Sequence, residues 1–456
     1  VYQFTDIVRK PVTSGKDQNY SGTSWCFSTI SFLEAELLKA GKGSWDLSEL
    51  FVVRHNYYDR LNDNYLRRGK GNIGEGSITH MALRQIKEHG IVPQDIYSGI
   101  NYDSELPDHL TEFTTYIEAI ANASVKVKNR SEEYFELQDA LFDIYMGPLP
   151  ESFTYEGKEY TPITFRDELG INTDDYIEIT SFTHHPFYQQ VPLEIPDNWD
   201  HALLYNLPLD DFMRVIDNAL ENGYTVNWDG DVSENGYVFN PHGIAIIPAQ
   251  ADLTKREIAT SATIIEEIDE ITPELRQEWF ETFVTTDDHL EHIIGIAQDQ
   301  NGTKYYITKN SWGETGPFAG YHYMSEKYVK AKTVSIVVNK KGLPKDIKKK
   351  LKEEQLIQLD KFYNLLIDWN KKINLTRITE EDDVYLKHFY DSLTIAKVVD
   401  LSTKNTLCDV GTGAGFPGIV LKIVYPNLKI TLVDSLLKRV NYLNTIIKEH
   451  AFQEQA

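Results

Sequence analysis

The sequence predicts two unlike folding units in one chain of 456 residues: an α+β domain over 1–345 and a partial α/β module over 346–456. Three observations carry that reading. The charge changes abruptly, since residues 341–456 hold 18 Lys and Arg against 15 Asp and Glu, whereas the first 340 hold 27 against 54. In the longer part, helical periodicities near the start give way to short strand-like runs. After Leu401 the pattern becomes strand, Gly-rich turn, helix, strand and helix.

A composition of 41% hydrophobic and 25% charged residues suits a soluble globular protein, and the net charge of −24 argues against non-specific nucleic-acid binding by the chain as a whole. Cys26 and Cys408 are the two cysteines, one in each part, so neither a disulfide framework nor a zinc cluster is expected. His184-His185 lacks a carboxylate at matching spacing, and no metal site is expected. No apolar run reaches membrane-spanning length, so no membrane partner is expected. Val1 stands where Met would open a chain, and the expectation is a leader removed or omitted.

Taken in order, residues 1–17 are polar and read as irregular. The turn-rich Gln18-Asn19-Tyr20-Ser21-Gly22-Thr23 runs straight into a helix over 24–40 that ends at Gly41. Phe27, Ile30, Leu33, Leu37 and Leu38 recur there at helical spacing, with Glu34 and Glu36 on another face. Asp46-Leu47-Ser48-Glu49-Leu50 opens a second helix through Val53. The loop Gly71 to Ser77 leads to a helix from Ile78 to about His89, stopped by Gly90. Residues 91–280 are mixed, with strands such as Tyr224 to Trp228 and Gly243 to Ile247, and 263–283 reads as acidic and helical. Ile293–Ala297 and Lys304–Thr308 form a hairpin, followed at once by Asn310-Ser311-Trp312-Gly313. The Lys-rich 340–355, with Gly342 and Pro344, reads as a linker. Phe362, Leu365, Leu366 and Trp369 then mark an amphipathic helix.

Gln18 to Ser28 resembles the nucleophile region of the papain-like cysteine peptidases, which read Gln, five residues, Cys-Trp and then Phe-Ser. A side chain at such a helix start sits in the field of the positive helix end. This chain departs at one position: Ser24 precedes Trp25, and Cys26 stands two places later, as if Ser and Cys were exchanged. His289, and then Asn310 opening Asn-Ser-Trp-Gly, follow in the papain order. The resemblance implies a papain-like α+β fold with Ser24 at the nucleophile position, His289 as base, Asn310 orienting the ring and Gln18 holding the oxyanion. It also implies that Gly74 and Gly76 bind substrate backbone. The separation of 265 residues between Ser24 and His289 exceeds the papain value of about 130–150, which implies a large insertion. With Asp46 to Arg54, Thr183-His184-His185-Pro186-Phe187 and Ile195-Pro196-Asp197-Asn198-Trp199, the resemblance narrows to the aminopeptidase C/bleomycin hydrolase branch, over about 2–350. That branch implies peptide substrates, no cofactor and a homo-oligomer. A helix turns ~100° per residue, so Cys26 points ~200° away from Ser24 and into the core. An alcohol is far less acidic than a thiol, so the site is expected to be formed but weakly active or inactive.

In the tail, Leu407-Cys408-Asp409-Val410 runs into Gly411-Thr412-Gly413-Ala414-Gly415-Phe416-Pro417-Gly418, a strand and a turn whose glycines permit positive φ and close ligand approach. The next strand ends in Asp434, the kind of residue that accepts hydrogen bonds from a ribose. Asn374-Leu375-Thr376, Tyr385 to Leu393, Asp409 to Gly418 and Val433-Asp434-Ser435 resemble the 16S rRNA guanine-N7 methyltransferase known as glucose-inhibited division protein B, over about 352–450. The resemblance implies a Rossmann-like module with S-adenosylmethionine at Gly411, Gly413, Gly415, Phe416 and Asp434. It implies rRNA as partner only if the module is completed, because two strands are too few for such a sheet.

The reading is therefore a cysteine-type aminopeptidase-like protein fused to part of an rRNA methyltransferase. The alternatives are a catalytically inactive papain-like binding protein and an rRNA methyltransferase. The tail favours a cytoplasmic setting, whereas the peptidase-like part also fits export.

Overall fold

The strand His289–Asp299 is the axis of the longer part. Ten of its eleven residues are buried, as an apolar run of Ile293, Ile294, Ile296 and Ala297 requires when both faces of a strand are covered. The computed structural model describes residues 1–450 and 452, the side chains of 352–354 excepted. The chain divides into two compact units, one of residues 1–185, 194–200 and 207–344, the other of 186–193, 201–206 and 345–456.

In the first unit, the strands run in the order Tyr176–Thr180, Thr333–Asn339, Val226–Gly230, His289–Asp299, Lys304–Lys309, Tyr321–Ser325, Ile244–Ala245 and Tyr237–Val238. All neighbours are antiparallel except 321–325 and 244–245, which are parallel. The first half of 289–299 pairs with 226–230, and the second half pairs on the same side with Phe4–Arg9. Gly295 is required at that crossing, because a Cβ there would lie 2.1 Å from the Val8 carbonyl oxygen.

Helix α1 (Ser24–Lys39) packs on strands 289–299 and 226–230. Its Cys26, Ile30, Leu33 and Leu37 join α2 (Glu49–Leu66) and α3 (Thr79–His89) in one core with Leu50, Val53, Leu83 and Ile86. Glu34 is fully buried there, meeting Lys16 at 3.4 Å, the Thr13 hydroxyl at 2.9 Å and the Leu47 N–H at 3.0 Å. Buried charges persist when paired and hydrogen-bonded in this way.

Four expectations need correction. Residues 4–9 are a strand, not irregular; only Phe4 and Val8 are partly buried, so it shows no hydrophobic period. The second helix begins at Glu49, where Ser48 caps it by accepting from the Phe51 N–H, and continues to Leu66 through buried Tyr57, Arg60 and Leu61. Within 263–283 the helix is confined to Pro273–Glu281, because Thr272 caps it and Pro273 starts it. The Lys-rich stretch after Pro344 is no loop, since Lys345–Ile373 is one continuous helix.

In the second unit that helix buries Leu359, Phe362 and Leu366 against Phe389, Ile419, Val420, Ile423, Tyr442, Leu443 and Ile446. Strands Thr406–Val410 and Lys429–Val433 pair in parallel, with Gly418–Val424 as the helix between them and Leu437–Glu449 after them. Val410 is 77% exposed and Val433 42% exposed at the ends of this two-stranded ladder. Among the described residues no helix is long and apolar enough to cross a membrane.

Candidate active site

Ser24 is the first residue of α1, so its backbone N–H belongs to the set that a helix start leaves without an intrahelical acceptor. Its hydroxyl oxygen accepts the Leu290 N–H at 3.2 Å. That donor would favour negative charge on the oxygen. Cys26 lies on the opposite side of the helix, fully buried, with its thiol donating to the Glu49 carbonyl at 3.3 Å. Burial and the nearby Glu49 charge push that thiol well above its ordinary range. It behaves as a small apolar side chain.

Gln18 reaches the same helix start. Its side-chain N–H donates to the Ser21 carbonyl at 2.8 Å, and its side-chain oxygen accepts the Ser311 hydroxyl at 2.5 Å. The backbone holds both segments together, through Gln18 N–H to Ser311 O at 2.9 Å and Gly313 N–H to Lys16 O at 3.0 Å. The second amide N–H of Gln18 meets no acceptor among the described residues.

His289 opens the central strand, and Asn310 follows the neighbouring strand Lys304–Lys309. His289 Nε2 stands 2.7 Å from Asn310 Oδ1, which also accepts the Ser311 N–H at 2.7 Å. An atom that accepts a backbone N–H is the amide oxygen, so Nε2 carries the proton and Nδ1 is the basic ring nitrogen. The Trp312 ring stacks on the imidazole with centroids 5.1 Å apart.

Ser24, His289 and Gln18 line one cavity of about 120 Å³, shared with Gly22, Trp25, Gly76, Ser77, Asp197, Asp287, Asp288 and Leu290. Of the expected substrate-binding glycines, Gly76 lines it; Gly74 is exposed and is not part of the lining. The Trp25 indole N–H donates to the Glu75 carbonyl at 2.9 Å and so ties this loop to α1.

The acidic side of the cavity was not foreseen. The Asp197 carboxylate lies against Gly76, where an added Cβ would meet its Oδ2 at 2.4 Å. Burial pushes Asp197 above its ordinary range while the Arg60 charge opposes the shift. Burial also pushes Asp287 up to about 7, with the charges of Asp197 and Asp288 acting in the same direction. Asp229, behind it on strand 226–230, is 1% exposed, and neither of its carboxylate oxygens meets an N–H or hydroxyl donor among the described residues. Burial and the Asp287 charge raise it well above its usual range. The adjacent Asp287-Asp288-His289 was legible in the sequence, but nothing there brought Asp197 and Asp229 to it.

A second unforeseen carboxylate is Glu291, which is 1% exposed and stands 3.7 Å from His289 Nε2. The Tyr237 hydroxyl donates to it at 2.5 Å, and His322 Nε2 bonds its other oxygen. The Asn310 amide in turn donates to the Tyr237 oxygen at 3.3 Å.

His184, His185 and Glu194 form a side-chain cluster of metal-ligand type in the first unit, which the linear spacing did not suggest. Its polarity is wrong for a metal. Gln277 donates its N–H to His184 Nδ1 at 2.9 Å and uses its oxygen for the Thr183 N–H, so His184 Nε2 carries a proton and gives it to Glu194 at 2.6 Å. A metal ligand needs that nitrogen bare.

In the second unit, Gly411, Gly413 and Gly415 have φ of 77°, 60° and 98°. A Cβ on Gly411 or Gly413 would meet open space, whereas on Gly415 it would strike Ile419 at 2.7 Å. The first two glycines thus leave backbone open to a ligand, and the third serves packing. Asp434 accepts from the Gly413 N–H at 2.9 Å and the Leu436 N–H at 3.0 Å, and these bonds hold its carboxyl below the ordinary range. Phe416 stacks on His388, with centroids 4.4 Å apart, and packs on the core. The open glycine turn and charged strand-end acid fit a nucleoside-bearing cofactor such as S-adenosylmethionine, which supplies an electrophilic methyl group when bound.

Comparison with known proteins follows the same division. The model of the Peptidase C1-like family matches residues 59–365, which include His289 and Asn310 and begin after Ser24. The model of the rRNA small subunit methyltransferase G family matches 355–455. Ribosomal RNA small subunit methyltransferase G of Staphylococcus saprophyticus is 55% identical over 96 residues, 21% of this chain and 40% of that protein. The Exiguobacterium sibiricum protein of the same name is 54% identical over 97 residues, 21% of this chain and 41% of its own length. The chain thus spans about two fifths of the length of these curated relatives. Among solved structures, PepW from Lactobacillus rhamnosis HN001 superposes with a TM-score of 0.61 at 18% identity, covering 77% of this chain and 85% of that one, which shows a shared fold.

Proposed function

From the premise that the chain belongs to the Peptidase C1-like family, a papain-like peptidase joined to a methyltransferase G fragment, we propose that 1–345 hydrolyses peptides slowly, through Ser24 instead of a cysteine. The observation that carries this is the burial of Cys26 on the far side of α1, which leaves Ser24 as the residue that shares a cavity with His289 and Gln18. In the proposed cycle the Ser24 oxygen bonds to the peptide carbonyl carbon while its proton passes to His289 Nδ1. The carbonyl electron pair moves to oxygen, beside the second amide N–H of Gln18 and the Ser24 backbone N–H. Collapse breaks the C–N bond, and His289 delivers its proton to the leaving amine. Water then repeats the sequence on the acyl-serine. Asn310 holds the ring tautomer.

The aminopeptidase mode is part of the proposal. Asp197 against Gly76 supports it, because it places a carboxyl group on the cavity wall, where it can meet an α-ammonium group. Assembly into a homo-oligomer is retained from the resemblance. A fluorophosphonate probe is the test: it is expected to label Ser24 slowly, and Ser24→Ala and His289→Ala are expected to abolish labelling. Labelling that persists in Ser24→Ala would refute the proposal.

A second reading, a peptide-binding protein without turnover, is favoured by the bond from Leu290 N–H, which occupies a lone pair of the Ser24 oxygen. Peptide binding with no acyl-serine detectable by mass spectrometry would select it. For the tail we propose weak adenosyl-ligand binding without rRNA methylation. Its two-stranded ladder with exposed Val410 gives the glycine turn little surrounding wall. Calorimetric titration is expected to give S-adenosylmethionine affinity weaker than ~1 mM, about 4 kcal/mol of binding free energy. Micromolar binding would refute this.

A further inference from the structure

The buried acid behind the candidate base has no counterpart in a Cys–His–Asn plan. Glu291 sits two residues after His289 on the same strand, so both side chains lie on one face of the sheet, 3.7 Å apart at the nearest atoms. It joins the base a second way, through a polar chain. His289 Nε2–H donates to Asn310, the Asn310 amide donates to Tyr237, and the Tyr237 hydroxyl donates to Glu291.

The charge of Glu291 needs an opposite charge nearby. Burial opposes ionisation, but attraction to His322 and its N–H, to His289 and to the Tyr237 hydroxyl outweighs it and holds the carboxyl below the ordinary range. His322 itself is fully buried, gives its Nε2–H to Glu291 and has no partner for Nδ1 among the described residues. Glu291 thus lies between two imidazoles, with His322 Nε2 bonded to one carboxylate oxygen and His289 Nε2 3.7 Å from the other.

We propose that Glu291 is a positioning residue for His289: its buried carboxylate stabilises the imidazolium formed when the Ser24 proton is taken up, so that the site works as a Ser–His–carboxylate trio on a papain-like frame. This rests on the reading of Ser24 as nucleophile. It also gives the Ser–Cys exchange a physical logic. A thiol can lose its proton to a ring oriented by a neutral amide, whereas an alcohol requires a stronger base. A carboxylate within about 4 Å of the imidazole supplies that strength.

Other charges also face His289. Asp287 and Asp288 precede it, Asp197 lies across the cavity, and Asp229 neighbours Leu290 on strand 226–230. These acids remain in every variant used below, so a change caused by Glu291 can be told apart from theirs. α1 contributes Ser24 and no charged residue to this cavity.

The experiment uses the full chain with isotope-labelled histidine. The midpoint of the His289 ring titration is read by NMR, with the signal identified by its loss in His289→Gln. Glu291→Gln is expected to lower the midpoint by at least about one pH unit, the usual effect of removing an opposite charge at this range. His322→Gln, which leaves the carboxylate in place, is expected to leave the midpoint unchanged or higher. In parallel, the acid limb of fluorophosphonate labelling of Ser24 is expected to follow the Glu291→Gln shift. A Glu291→Gln midpoint within about 0.3 unit of the native chain overturns the proposal. So does a fall in His322→Gln, which also serves if Glu291→Gln does not fold. Absence of Ser24 labelling with the titration shift intact would refute the nucleophile assignment and leave the coupling standing.

Discussion

At the scale of single residues, the decisive fact is an angle. Ser24 and Cys26 are two residues apart on one helix, and one of them shares a cavity with His289 while the other donates a bond to the Glu49 carbonyl in the core. The same scale holds the sharpest packing constraints. Gly295→Ala would press a Cβ to 2.1 Å from the Val8 carbonyl, so the 4–9 strand must shift. The expected loss is about 1–3 kcal/mol, read from denaturant unfolding. An unchanged midpoint would refute the pairing of that strand at Gly295. Ser24, His289, Asn310 and Gln18 could be named from the sequence because each lies in a short ordered motif. Asp197, Asp229 and Glu291 could not, since each is an ordinary acidic residue until the fold brings it to the cavity wall or the back of the imidazole.

At the scale of elements, the acids around strand 226–230 make a pH prediction. Asp229 is raised in the folded chain by burial, chiefly, and by Asp287. A group raised above its unfolded value of about 3.9 adds stability that is fully present below that pH and lost as pH rises through the folded value. Asp229→Asn is therefore expected to stabilise the first unit at pH 8 by about 1–3 kcal/mol, the usual cost of a buried group left without donors, and to change little at pH 4. Thermal melts at both pH values check it, and destabilisation at pH 8 would contradict it. Elements with strong periodicity, such as α1 and α3, were legible in the sequence to within a residue or two, whereas the first strand of the hairpin about Gly302 begins four residues before the expected Ile293. The 4–9 strand was not, because three of its four interior residues are exposed and no apolar alternation marks it. The helix after Pro344 was misread because its Lys runs suit a solvated helix face as well as a linker, although Ile347, Leu351 and Leu359, which bury its other side, stand at helical spacing.

At the scale of the whole molecule, two units with separate cores predict separable unfolding. Calorimetry of the full chain is expected to show two transitions, and residues 1–344 alone are expected to retain one of them at an unshifted temperature. A single transition lost on truncation would contradict independent cores. A jump in charge marks the sequence near residue 340, whereas the lysines themselves do not announce the long helix that begins at Lys345. The central proposal concerns the first unit: that Ser24 serves as its nucleophile, with Cys26 buried in the core. The most direct measurement is labelling by a cysteine-directed epoxide, comparing the native chain with Ser24→Cys combined with Cys26→Ser. The account predicts no labelling at the site in the native chain, and rapid single-site labelling at position 24 that His289→Ala removes in the exchanged one. Labelling of Cys26 in the native chain at a comparable rate would contradict it.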